Sequence, residues 1–135
     1  MPLPAQATAG VPTYGGPDWP GQIPPFGTPD WERSAARWLR GLLPARYSSY
    51  ATMTGQYTVL ARHVQLQLQH EQRALRVGLH TARLDLRSMG MSDQVIEQTI
   101  RLYAAELEQF HSTARSVRLV TRALLNGACP PRTTW

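Results

Sequence analysis

The chain has no lysine: all 14 of its basic residues are arginine. A glycine loop that cradles phosphate uses a lysine and follows a strand. The glycine-rich stretch here has neither, which argues against nucleotide binding. Cysteine is nearly absent too. One residue, Cys129, excludes an internal disulfide and a thiolate metal cage. No apolar run approaches the roughly 18 residues that would span a bilayer. The first residues, Met1-Pro2-Leu3-Pro4, show neither a basic nor an apolar leader region, so no signal peptide and a cytoplasmic location are expected. A Gly-x-Ser-x-Gly elbow is missing, and the lone cysteine sits in a proline-flanked tail, so nucleophilic catalysis has no apparatus. The expectation is a protein that is not an enzyme and holds no cofactor or metal.

Proline is absent from residues 47–126, while nine of the eleven prolines fall in the first 44 residues. The proline-free stretch carries helical spacing on both sides of one short interruption, Ser88-Met89-Gly90-Met91-Ser92. At 100° per residue, Tyr50, Met53, Tyr57, Leu60, Ala61, Val64, Leu68, Leu75, Leu79, Ala82, Leu86 and Met89 share one core-facing stripe. After the interruption, Val95, Ile96, Thr99, Tyr103, Leu107, Phe110, Ala114, Val117, Thr121, Leu124 and Leu125 share another. Gly90 suits a helix C-cap, and Ser92-Asp93 suits an N-cap with an acid in the first turn. Gly127, with Pro130 and Pro131 beyond it, is expected to stop the second helix. The reading is an all-α protein built on a long, antiparallel, coiled-coil-like hairpin with helices at about 46–88 and 92–126, in a register that sets 126 beside 55. Gly55 and the hydroxyl-rich residues before it mark a possible break.

Val59, Leu66, Val77 and Leu84 lie nearly opposite the main seam of the first long helix. A lone hairpin covers only one side of that helix. At about 1.5 Å per residue the second stripe runs roughly 37 Å, longer than any helix the N-terminal part can supply. Self-association, or a helix from another protein, is therefore expected on this face. Glu71 and Glu106 interrupt the seams and are expected to be buried register-setting polar residues.

Residues 1–27 form an extended arm, and residues 28–43 a short amphipathic helix opened by Thr28-Pro29-Asp30. Tyr14, Trp19, Phe26, Trp31 and Trp38 are spaced along this region as candidate anchors for a partner protein. Trp31 and Trp38 opposite Arg33, Arg37 and Arg40 would also suit a membrane surface. Arg115, Arg118 and Arg122, with Arg62 near them in the hairpin register, form a basic stripe. A solvated face is its simplest reading, and nucleic acid or an acidic protein are the alternatives. The Glu108-x-x-His111 pair resembles a di-iron ligand motif only in spacing, since both residues point away from the apolar face. The expected function is that of a structural or adaptor protein that pairs with itself through the hairpin and straps onto another protein with its arm.

Overall fold

In the computed structural model, which describes residues 17–128, every regular element is helical. The order is α1 (Trp31–Arg40), a 3-10 turn (Ala45–Ser49), α2 (Ala51–Gly55), α3 (Tyr57–Ser88) and α4 (Asp93–Ala128). The long helices α3 and α4 pack against each other as the expected hairpin. The described chain divides into two compact units, residues 17–65 with 115–128, and residues 66–114.

The first unit holds most of the buried side chains. Residues 17–28 are turns pinned locally: the Trp19 indole donates to the Ile23 carbonyl at 2.9 Å, and the Ile23 amide donates back to Pro20 at 3.2 Å. Helix α1 begins at Trp31, three residues later than the Thr28 start the sequence suggests. Asp30 is the reason, because it sits in the left-handed region at φ 66° and so closes a turn before the helix opens. Trp31, Ala35 and Leu39 recur at four-residue intervals and are buried with Ala36, while Arg33 and Arg37 face water. Burying side chains of the size of Trp31 and Leu39 is worth about 1.5–3 kcal/mol each. They share the core of this unit with Leu60, Ala61 and Val64 of α3 and with Val117, Val120 and Ala123 of α4.

Between α1 and α3 the single helix read from residue 46 onward is broken. Tyr50 and Gln56 are extended, at φ −91° and −121°. Ser48, Ser49 and Thr54 each donate a hydroxyl to the carbonyl three residues back, at 2.7, 3.0 and 3.0 Å. Such local bonds compete with helix continuation, and Gly55 adds no resistance to the break. Tyr50 is exposed as a result, outside the seam where its angle on a continuous helix would set it.

The second unit is the bare hairpin. Its turn follows the sequence closely. Gly90 takes φ 85°, the Met91 amide donates to Leu86 at 2.9 Å, and the Gly90 amide donates to Arg87 at 3.0 Å. That is a Schellman C-cap. Ser92 Oγ then accepts from the Val95 amide at 3.3 Å, capping α4. Gly90→Ala forces a Cβ into the left-handed region and is expected to cost about 1–2 kcal/mol, read as a lowered Tm in a thermal melt of the full chain. An unchanged Tm would show that the turn does not need this backbone.

Register is visible in three cross-links: Arg87 with Asp93 at 3.5 Å, Arg83 with Glu97, and Gly78 beneath Tyr103. All three match the register that places 126 beside 55. A Cβ on Gly78 would come within 3.0 Å of the Tyr103 ring, so the glycine admits the ring. Within the seam, Leu68, Leu75 and Ala82 recur every seven residues with Gln72, Leu79 and Leu86 between them, and α4 answers with Ile96, Tyr103, Phe110 and Ile100, Leu107, Ala114. A sevenfold repeat is the coiled-coil period of 3.5 residues per turn.

That period corrects several expectations drawn from a straight helix. Gln72, and neither Glu71 nor Glu106, is the buried polar residue of the seam; Glu71 is half-buried and Glu106 exposed. Met89 and Val95 are exposed at the turn end. Near the other end of α4, Val120 and Ala123 are buried while Leu125 is exposed. Gly127 does not end α4, which runs on to Ala128.

Candidate interaction face

Helix α3 has two sides of opposite character. Its seam side is buried or half-buried, whereas Val59, Leu66, Val77 and Leu84 are 41%, 45%, 59% and 74% exposed. Leu66, Val77 and Leu84 sit at spacings of 11 and 7 residues, each a whole number of helical turns to within a fraction of a residue, so these three occupy one face of the hairpin unit, whereas Val59 is an exposed position of the first unit. His70 and Arg73 fill the two positions between Leu66 and Val77 on that face, and both are exposed. Helix α4 adds an exposed pair, Val95 and Leu102, seven residues apart. Leu102 was legible as an apolar residue off the α4 stripe, seven residues after Val95.

The anchors expected along the arm meet a different fate. Tyr14 lies outside the described residues. Trp31 is buried, with the Phe26 ring centroid 5.0 Å and the Trp19 ring centroid 6.1 Å from its own. Trp38 is half-buried. Trp31 is closed to a partner while it stays in the cluster, whereas Trp19, Phe26 and Trp38 keep part of their surface open to water. The arm is also tied down beside them: Ser116 Oγ donates to the Asp18 carbonyl at 2.6 Å, and Arg115 Nε lies 3.7 Å from the Asp18 carboxylate.

The basic stripe is partly engaged by the chain itself. Arg62, Arg115, Arg118 and Arg122 are all exposed. Arg115 faces Asp18, and Arg62 donates to Gln65 Oε1 at 3.4 Å. Exposed contacts of this kind contribute about 0–1 kcal/mol, so they orient the side chains more than they stabilise the fold. Nearby, the His63 ring stacks 4.6 Å from the Tyr47 ring, which also lies under Arg46 at 4.7 Å. His63 Nε2 and Thr121 Oγ1 are buried polar atoms with no hydrogen-bond partner, which the sequence pattern gives no means of finding.

His111 of the Glu-x-x-His pair contacts Arg76 Nη2 at 3.4 Å. Among the described residues no group of three or more His, Cys, Asp or Glu side chains is placed to hold a metal ion, and no helix is long and apolar enough to cross a membrane. Within the hairpin unit, α3 presents Leu66, Val77 and Leu84 to solvent with His70 and Arg73 between the first two. Such a face can bury aliphatic surface against a second aliphatic surface. Compared with protein families, curated proteins and solved structures, the chain shows no match.

Proposed function

We propose that this protein is a non-enzymatic structural or adaptor component that associates with itself through the outer face of its helical hairpin. The observation that carries the reading is the exposure of Leu66, Val77 and Leu84 on one face of α3 within the hairpin unit, with Val59 exposed on α3 in the first unit. Scattered exposed aliphatic residues are ordinary on a protein surface. An aligned set on the uncovered side of a two-helix unit is what self-assembling helical proteins present to one another. In this reading the rings at Trp19, Phe26 and Trp31 serve the core of the first unit, and the hairpin is the assembling element.

Light scattering on the full chain over a range of concentrations tests it. The expected mass rises above the 15.1 kDa of one chain as concentration increases. A double variant, Val77→Glu with Leu84→Glu, is expected to return the mass to a single chain while far-UV circular dichroism keeps its helical signal, because both side chains are exposed and neither contributes to a core. A wild-type mass that stays at one chain at every concentration overturns the reading.

A further inference from the structure

The net positive charge of the described chain lies in one of its two units. The described residues of the first unit hold eight arginines against three acids, Asp18, Asp30 and Glu32, whereas residues 66–114 hold five against six. Along α4 in the first unit the excess forms a row. From position 115 to 122 the exposed residues are Arg115, Arg118 and Arg122 and no others. Arg62 of α3 stands on the same edge: Arg62 and Arg118 each directly follow a buried seam residue, Ala61 and Val117, the relation by which Arg83 and Glu97, after Ala82 and Ile96, meet in the hairpin unit. We infer that this edge of the first unit binds the phosphate backbone of a nucleic-acid duplex, without reading its sequence. The inference does not depend on the self-association proposed above.

The partner's chemistry follows from what the row holds and lacks. In the hairpin unit Arg83 and Arg87 are each held by a carboxylate, those of Glu97 and Asp93. In the first unit Arg115 shares Asp18 at 3.7 Å, and among the described residues no carboxylate pairs with Arg62, Arg118 or Arg122. Guanidinium groups on one helical edge, with nothing of opposite sign beside them, complement a regularly charged anion. A second protein is the poorer fit, because the middle of a protein interface is apolar and depleted of charge. Among the described residues Leu125 is the one large apolar side chain exposed on α4 in this unit, and it lies beyond the end of the row. A membrane surface takes an amphipathic helix by its apolar face, and here Val117, Val120 and Ala123 are already buried in the core. A single strand is gripped by stacking its bases on aromatic rings, and the row contains none. Interfaces with duplex nucleic acid are polar and strongly positive, as this edge is.

Salt dependence is the signature. Each phosphate neutralised contributes about −0.9 to the slope of log affinity against log salt. Contacts from Arg62, Arg118 and Arg122, with or without Arg115, give a slope of about −2.7 to −3.6, which is a loss of about 40- to 150-fold in affinity between roughly 50 and 200 mM salt. Binding of this kind holds at low salt and is weak at physiological salt.

Fluorescence anisotropy of a labelled, mixed-sequence DNA duplex, titrated with the full chain across this salt range, tests the inference. Arg118→Gln with Arg122→Gln is expected to make the slope shallower by about 2, while circular dichroism keeps the helical signal because both side chains are exposed. Arg118→Lys with Arg122→Lys is expected to keep the slope, since either cation neutralises a phosphate. Arg73→Gln with Arg101→Gln removes the same charge from exposed positions of residues 66–114 and is expected to leave the slope unchanged. A wild type that leaves the duplex unbound at about 50 mM salt, or binds it with no salt dependence, overturns the inference. Equal losses in the two glutamine double variants also overturn it, since net charge and not this edge would then be at work. So does tighter binding to phosphatidylserine vesicles, to polyglutamate or to the single strand than to the duplex. Light scattering of the same samples reads self-association separately, so either proposal can fail without the other.

Discussion

Trp31→Ala is expected to lower the stability of the first unit by about 3–5 kcal/mol, the range for removing a buried tryptophan. The argument goes beyond the lost side-chain area. Trp31 is the ring on which Trp19 and Phe26 converge, at centroid distances of 6.1 and 5.0 Å. With it gone, the turns of residues 17–28 lose the surface they pack on, and the Trp19–Ile23 hydrogen bond has less to hold in place. Thermal melts followed by circular dichroism measure the loss. Native-state hydrogen exchange locates it, with amides of α1 losing protection first and amides of residues 66–114 keeping theirs. A loss under about 1 kcal/mol, below any tryptophan truncation of this kind, would mean that the aromatic cluster does not support the fold.

Ile96→Ala carries the second large effect, about 2–5 kcal/mol, and it falls on the hairpin unit. Among the described residues six large side chains are almost wholly shielded from water, and Ile96 is the one of them within residues 66–114. Most other seam residues there, including Leu75, Leu79, Leu86, Tyr103 and Phe110, are only half-covered, as a two-helix ribbon must leave them. Few neighbours can compensate for the cavity. Exchange rates of amides in 66–114 are expected to rise sharply while those of α1 change little. Equal acceleration in both units would show that they open together.

How far the sequence reveals this fold depends on whether a feature is written in local chemistry or in tertiary geometry. The hairpin turn is local. Gly90 and Ser92 name their own roles, and once the turn is placed the register follows to within a residue, as Arg83 with Glu97 shows. The uncovered face of α3 was equally legible, because exposure of Val59, Leu66, Val77 and Leu84 follows from the hairpin having only two helices.

The identity of the buried polar residue was not. Angles of a straight helix of 3.6 residues per turn make Glu71 a candidate for the seam, whereas the seven-residue spacing of Leu68, Leu75 and Ala82 leaves the position between the first two to Gln72, and only the packed structure decides between them. Asp30 is a similar case. Thr28-Pro29-Asp30 reads as a helix start, and the left-handed turn at Asp30 comes from the path the chain takes to seat Trp31. Trp31 differs from its expected role for a related reason. Spacing alone cannot tell an anchor for a partner from an anchor for the chain's own core, and Trp31 proves to be the latter.

The contact between Ser116 and Asp18 joins residues 98 positions apart. The first unit therefore joins two segments that residues 66–114 separate in the sequence. On a ribosome, Trp31 and Leu39 emerge before Val117, Val120 and Ala123 and cannot meet them until residues 66–114 have been made. The hairpin's upper portion is complete sooner and can form from near neighbours alone, and closing a long loop is the slow step in such a topology. Newly made chains thus pass through a stage in which residues 66–114 can be folded while the apolar residues of the first unit still lack their partners, so the amount of protein recovered from a cell will depend on how well that interval is chaperoned.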